Sequence, residues 1–158
     1  ICKQATKPCD VHLMVVNPSD YIEKFAALGV KIIYIHPETD KHACRTLQKI
    51  KDAGAKAGIA LNPGTSFETV KELLYLCDYV MLMSVNPGFA GQKYLDFVTP
   101  KFRQFVDAAS KVMIDGACSP EKIAMLSKVG VKGFILGTSA LFGKEKSYKE
   151  IITELRKL

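Results

Sequence analysis

The sequence lacks the long apolar run that a membrane-spanning helix requires. No stretch of its 158 residues approaches the roughly 20 consecutive apolar residues that cross a bilayer. The first ten residues, ICKQATKPCD, do not resemble a signal peptide. We therefore expect a soluble protein with no membrane partner.

Clusters of basic residues interleaved with aromatic residues are also missing. The chain has 22 Lys and Arg against 16 Asp and Glu, a formal net charge of +6, which suits an anionic partner. The charges are scattered along amphipathic segments, as at Lys71 with Glu72, and this mixed pattern is typical of a solvated surface. We expect no nucleic-acid partner.

No two cysteines form a C-x-x-C pair. The chain has five cysteines, and four of them lie in or beside apolar segments, where a free thiol packs like a small hydrophobic side chain. This usage favours a reducing, cytoplasmic compartment. The five are Cys2, Cys9, Cys44, Cys77 and Cys118.

What the sequence does contain is a regular alternation of short apolar runs, rich in β-branched residues, with segments of helical period. This alternation predicts a parallel sheet wrapped by helices. The predicted strands are Asp10–Val16, Lys31–His36, Lys56–Leu61, Tyr79–Ser84, Val112–Asp115 and Gly133–Leu136. The predicted helices are Ser19–Leu28, His42–Ala53, Ser66–Leu76, Thr99–Ala109, Pro120–Val129 and Ser147–Lys157.

Such a repeat forms either an open doubly wound sheet or a closed eight-stranded barrel. No G-x-G-x-x-G motif follows a strand, and polar, glycine-rich residues gather after strand ends, as in HPETD and SVNPGFAGQ. We therefore predict an α/β protein with one (β/α)8 TIM-barrel domain over residues 1–158. Because only six units are visible, we expect the first two β/α units to be absent from this sequence. A short linker near 110–111 indicates a gap there.

His12 lies in the predicted first strand, D-V-H-L-M-V, where alternation places it on one face with Asp10 and Met14. The inward face of a barrel strand near its carboxyl end is where a metal ligand is placed, and imidazole is a common ligand. A hydrogen-bonded core histidine is equally consistent with the local sequence.

Asp115 ends a short apolar strand and is followed at once by Gly116 and Ala117. A carboxylate in this position can bind a metal or act as a general base on a substrate C–H group. The alternative is an Asx-turn or a helix cap that serves the helix beginning at Pro120.

Two loops have the composition of phosphate-binding loops. Glycines in the segment 86–92 let backbone N–H groups approach an anion, and Gly137–Thr138–Ser139 opens a short apolar segment that could present a helix N-terminus. Met14, Met81 and Met83 could form a flexible apolar wall, although methionines in strands are more often core.

Four segments, D-V-H-L-M-V, L-M-S-V-N-P-G-F-A-G-Q, the I-D-G strand end and G-T-S-A-L-F, occur in this order and resemble the ribulose-phosphate 3-epimerase family along the whole chain. H-P-E-T, D-G-A-C and G-T-S-A-L-F are more similar to its allulose-6-phosphate 3-epimerase branch. The resemblance implies a ribulose-phosphate-binding barrel, one divalent metal ion (Zn, Fe, Mn or Co), and two aspartates on opposite faces of the substrate.

The resemblance also implies roles for individual residues. His12 matches a metal ligand that contacts substrate, and Asp115 matches both a metal ligand and one of the two acid/base groups. Methionines that line the family's pocket match Met14 and Met83. The family's phosphate-binding backbone matches Gly88, Phe89, Ala90, Gly91, Gly116, Ala117, Gly137, Thr138 and Ser139.

The expected function is 3-epimerisation of a ketose phosphate through an enediolate. The substrate pair is D-allulose 6-phosphate with D-fructose 6-phosphate, or D-ribulose 5-phosphate with D-xylulose 5-phosphate. The family's H-x-D-x-M-D-G segment, which carries the other aspartate, does not occur in this sequence. The alternatives are therefore a non-catalytic, sugar-phosphate-binding barrel fragment and a metal-independent lyase or isomerase. We expect a homo-oligomer, because unpaired sheet edges tend to pair with another chain. The resemblance also implies oligomers, which are common in this family.

Overall fold

A computed structural model of the chain describes residues 1–109 and 111–158. Its strands follow chain order in the sheet, from β1 to β6, and alternate with helices. The chain divides into two compact units, one of residues 1–61 and 65–81 and the other of residues 62–64 and 82–158. The predicted gap near 110–111 involves Ser110, which lies outside the described residues.

The first unit contains three parallel strands and the beginning of a fourth. The register of the pairing places His12 beside Tyr34, and Tyr34 beside Gly58. In the third strand every residue after Lys56 is buried, as expected of a parallel strand covered on both faces. The elements are β1 (Asp10–Leu13), α1 (Ile22–Ala27), β2 (Ile32–Ile35), α2 (Ala43–Asp52), β3 (Lys56–Leu61), α3 (Phe67–Val70) and the start of β4 (Tyr79–Met83).

The second unit continues from the end of β4. Its core includes Phe102 and Phe105 on one helix face and Ile114 on a strand, all fully buried. The strands β5 and β6 pair in parallel, with Met113 beside Gly133. The elements are α4 (Thr99–Ala108), β5 (Val112–Asp115), α5 (Pro120–Val129), β6 (Gly133–Phe134) and α6 (Tyr148–Leu155).

All six predicted strands and all six predicted helices are present. β3, β5 and α5 have the predicted bounds, whereas the other elements are shorter by one to several residues. The largest difference is in the predicted helix Ser66–Leu76, where only Phe67–Val70 is α-helical and Lys71–Leu76 is a 3-10 helix. The predicted helix Ser19–Leu28 begins instead as a 3-10 helix over Pro18–Tyr21 and is α-helical from Ile22.

Within the described ranges, no helix has the length and apolarity needed to cross a membrane.

Candidate active site

His12 lies in a row of three residues that the parallel register places side by side on β1, β2 and β3. The row runs from His12 to Tyr34 to Gly58. Tyr34 is fully buried, and its ring meets the edge of the His12 ring at a centroid distance of 6.4 Å. A Cβ atom at position 58 would lie 2.4 Å from Tyr34 Cδ1, so only glycine leaves room for this ring.

A second histidine contacts the first. His36 directly follows β2, is 2% exposed, and places its Nε2 atom 2.8 Å from Nε2 of His12. The ring centroids are 5.0 Å apart and the ring planes lie 24° from parallel, so the two rings meet end to end at these nitrogens. We predicted His12 on a polar, inward-facing side of its strand. In the structure its partner is His36, which the local sequence did not specify.

His36 is also linked to an acidic residue in the turn after β2. Its Nδ1 atom lies 3.5 Å from Oε2 of Glu38, whose side chain is 22% exposed. The other carboxylate oxygen, Oε1, accepts a hydrogen bond from Thr65. Residues from three loops or strand ends of the first unit thus form one continuous polar cluster.

Asp115 lies at the carboxyl end of β5, as predicted, and its side chain is half-buried. The next two residues both have left-handed backbone, with φ of 106° at Gly116 and 44° at Ala117. α5 is capped by Ser119, whose side chain accepts from the backbone N–H of Lys122. Because Ser119 performs this role, the helix-cap explanation for Asp115 is not needed.

The end of β4 contacts the turn that follows Asp115. The backbone N–H of Ser84 donates to the Asp115 carbonyl at 2.9 Å, and the Ser84 hydroxyl donates to the Gly116 carbonyl. A Cβ atom on Gly116 would lie 2.6 Å from Cγ2 of Val85. Glycine is thus required here by close approach as well as by its positive φ.

The segment 86–92 is closed by its own glutamine. Gln92 Nε2 donates to the carbonyls of Asn86 and Phe89, the latter at 2.8 Å. Both glycines of this loop have positive φ, 113° at Gly88 and 78° at Gly91. Ala90 is exposed, and the Phe89 side chain, at 83% exposure, projects from the loop.

The loop after β6, which could present a helix N-terminus, is a run of turns in the structure. The carbonyl of Gly137 accepts from the N–H groups of Ala140, Leu141 and Phe142, and residues 138–143 are assigned as turns. Thr138 is exposed and Ser139 is half-buried at the start of this turn. These three bonds use the N–H groups of residues 140–142 and not those of residues 137–139, which are the first N–H groups of the turn.

The two candidate methionines differ in exposure. Met14 follows β1 in the first unit and is 45% exposed, whereas Met83 ends β4 and is 3% exposed. Met83 is therefore buried and Met14 accessible, and a place for either side chain in a substrate pocket stays a prediction.

The imidazole of His12 and the carboxylate of Asp115 are ligands that suit a divalent transition metal. Two ligands are too few to form a metal site by themselves. Across residues 1–109 and 111–158, no three His, Cys, Asp or Glu side chains are grouped so that they could hold a metal ion. These residues alone therefore do not form a metal centre.

Sequence reasoning missed the contact of His36 with His12 and the contacts of Glu38 and Thr65. The strand pattern held one usable signal, because Tyr34 and His36 are two residues apart and so share a face of an extended chain. Thr65 carried no signal, since its contact with Glu38 joins positions 27 residues apart.

Solved structures confirm the fold class. A mutant tryptophan synthase alpha-subunit from Pyrococcus furiosus has a TM-score of 0.74 at 18% identity, covering 99% of this chain and 69% of that one. The tryptophan synthase complex of the same organism gives 0.70 at 17% identity, with 99% and 67% covered. At this identity the likeness shows the fold alone, an α/β fold with parallel strands of the TIM-barrel type.

Several curated proteins have a much higher sequence identity to this chain than these solved structures have. Ribulose-phosphate 3-epimerases of Aquifex aeolicus and Bacillus subtilis are 42% and 36% identical, covering 100% and 94% of this chain and 72% and 71% of theirs. That of Escherichia coli is 38% identical, over 96% of this chain and 69% of its own. Residues 1–142 match the model of the "Ribulose-phosphate 3 epimerase family". The chain therefore belongs to the ribulose-phosphate 3-epimerase family, which confirms the predicted isomerase class.

Proposed function

We propose that the chain is a metal-dependent 3-epimerase of a ketose phosphate. The single observation that carries the proposal is the position of Asp115, at the carboxyl end of a parallel strand and beside a two-residue left-handed turn. In a barrel of this type the reacting groups lie at the carboxyl ends of the strands. Family membership supplies the reaction class.

The chemistry requires an acid/base group on each face of the sugar. Inversion at the carbon next to a ketone removes a proton from one face and returns a proton to the other. Asp115 would serve one face, and a second carboxylate is needed for the other. A chain with Asp115 alone would exchange the substrate proton with solvent without inverting the carbon.

The proposed phosphate site is formed by backbone groups in the loops after β4, β5 and β6. Its residues are those of 88–91, Gly116 with Ala117, and 137–139. The contact of Ser84 and Val85 with Gly116 joins the first two of these loops. A bound phosphate would fix the register of the sugar, which lets binding energy be used for positioning.

We propose His12 and Asp115 as two ligands of one divalent ion, Zn²⁺, Fe²⁺, Mn²⁺ or Co²⁺. The site needs further ligands that these two residues do not supply. When bound, such an ion would stabilise negative charge on the sugar oxygens as a Lewis acid. Mixed nitrogen and oxygen donors suit all four ions, so the ligands do not select among them.

Solvent exchange in deuterium oxide tests the proposal directly. With D-ribulose 5-phosphate we expect deuterium at C3 by proton NMR, together with D-xylulose 5-phosphate when the second acid/base group is supplied. Asp115→Asn is expected to lower kcat/KM by about 10²-fold or more, because general acid–base groups contribute roughly 10² to 10⁴ in rate.

Asp107→Asn is the matched control, because Asp107 is an exposed aspartate on α4. No deuterium at C3 with either sugar phosphate would contradict the proposal. Deuterium uptake without epimerisation would support Asp115 as a base while showing that the second group is not supplied by these 158 residues.

The substrate within the class has two candidates. The names of the relatives favour D-ribulose 5-phosphate. The segments H-P-E-T, D-G-A-C and G-T-S-A-L-F favour D-allulose 6-phosphate. The ratio of kcat/KM for the two sugar phosphates decides between them.

We infer a cytoplasmic location and a homo-oligomeric state. Burial raises the pKa of the Cys118 thiol to about 12, which keeps it neutral, as expected for a thiol that packs as a small hydrophobic group in a reducing compartment.

A further inference from the structure

Ser84 directly follows β4, and it is a fully buried polar residue. Its backbone N–H donates to the Asp115 carbonyl at 2.9 Å, and its hydroxyl donates to the Gly116 carbonyl. The hydroxyl also lies 3.4 Å from the Asp115 carbonyl oxygen, which is a longer and weaker contact. Because burial of a hydroxyl without a hydrogen bond is costly, the serine at this position is tied to the turn after β5.

The carbonyl that accepts from the Ser84 hydroxyl belongs to the peptide unit that carries the Ala117 N–H group. In a trans peptide the C=O and N–H bonds point to opposite sides, and no described peptide bond is cis. A hydrogen bond that fixes the Gly116 carbonyl therefore also fixes the Ala117 N–H group, which points away from Ser84. Within residues 1–109 and 111–158, this N–H group donates to no acceptor.

Ala117 has a backbone conformation that alanine rarely adopts. Its φ is 44°, in the left-handed region, where the Cβ atom of an L residue crowds the backbone. Such a conformation persists only when surrounding contacts hold it. On one side Ser119 N–H donates to the Ala117 carbonyl at 2.8 Å. On the other side the Gly116 carbonyl accepts from Ser84, and the Cys118 thiol, a weak donor, lies 3.6 Å from the same oxygen.

We propose that Ser84 is a positioning residue, whose hydroxyl holds the Gly116–Ala117 peptide so that the Ala117 N–H group faces the phosphate of the substrate. Ser84 acts through the turn, since its own N–H, hydroxyl and carbonyl are all bonded within the protein. The hold on the peptide rests on the contacts above. Its use in phosphate binding rests on the proposed function, in which Gly116 and Ala117 form part of the phosphate site.

NMR of the ligand-free protein tests the hold on the turn, because the backbone couplings of Ala117 report its φ. In Ser84→Ala the hydroxyl is lost, and we expect a measurable part of the Ala117 population to leave the left-handed region. Ser84→Thr keeps a hydroxyl and is expected to retain the wild-type couplings. Wild-type couplings in Ser84→Ala would overturn the proposal.

A second measurement uses the wild type alone. A hydroxyl proton that is buried and bonded to the Gly116 carbonyl is expected to exchange with water slowly enough to give its own NMR signal. Rapid exchange of the Ser84 hydroxyl proton would overturn the proposal even if no variant folded.

Titration with inorganic phosphate separates this inference from the proposed function. In the wild type we expect phosphate to shift the Ala117 amide signal and to slow its hydrogen exchange. Ser84→Ala is expected to bind phosphate about tenfold more weakly, because a well-placed N–H group bonded to an anion contributes about that factor. If phosphate leaves Ala117 unchanged in the wild type, the proposed phosphate contact fails while the hold on the turn stands. Equal affinities of wild type and Ser84→Ala would contradict the positioning role.

Ser147→Ala is the matched control for a general loss of stability. The Ser147 side chain caps α6 by accepting from the Glu150 N–H group, and it has no contact with the turn after β5 among the described residues. We expect this variant to lose stability and to keep the wild-type phosphate affinity. A loss of affinity as large as that of Ser84→Ala would show that the effect is not specific to the turn, and the proposal would fail.

Discussion

Tyr34 illustrates how a single residue position can be specified by its neighbours in the sheet. Its ring is fully buried between His12 and Gly58 in the register of three strands. It also meets the Tyr79 ring edge-on, with centroids 6.2 Å apart. Burial, followed by the charges of Asp10 and Tyr79, raises the pKa of the Tyr34 hydroxyl above its usual value, so this side chain stays neutral in the folded protein.

Gly58→Ala is expected to destabilise the protein by about 1–3 kcal/mol, because the added methyl group would overlap the Tyr34 ring and overpack the interior. Urea unfolding followed by circular dichroism measures the change. Gly64→Ala is the control, since a Cβ atom there meets nothing within 4 Å. Equal stability of the two variants would show that the strands can shift to admit the methyl group.

Among the elements, α5 has the boundaries that its sequence predicts. Ser119 supplies the N-cap, Pro120 occupies the first helical position, and Gly130 ends the helix with φ of 113°. α3 differs, because Ser66 precedes it without accepting a backbone hydrogen bond and instead bonds Thr69 at 2.7 Å between the two hydroxyl oxygens. A helix without an N-cap hydrogen bond is less stable. This helix is α-helical for four residues and continues as a 3-10 helix.

Ser119→Ala is expected to lower the free energy of unfolding by about 0.5–2 kcal/mol through loss of the cap on Lys122 N–H. Ser66→Ala, which removes no backbone cap, is expected to change stability by less than about 0.5 kcal/mol. Thermal or urea unfolding of both variants gives the comparison. A larger loss for Ser66→Ala would contradict the assignment of the caps.

At the scale of the whole molecule, the strand order leaves β1 and β6 at the two ends of the sheet. Strands at an edge present unpaired backbone groups that can pair with another chain. We therefore expect these 158 residues to form oligomers whose mass rises with concentration, as measured by light scattering after size-exclusion chromatography. A monomer at all concentrations, with cooperative melting, would contradict this expectation.

The sequence by itself determined the alternation of strands and helices, the family, and the placement of Asp115 at a strand end. These follow from local periodicity, capping residues and contiguous motifs, which depend on neighbours along the chain. The barrel's two missing units and the site roles stay predictions.

Only the tertiary structure decided which polar groups meet. The bond between His12 and His36 joins residues 24 apart, and that of Ser84 with Gly116 joins residues 32 apart. Such contacts depend on strand register, which is set by packing of the sheet, and a shift of one residue would turn each side chain to the other face.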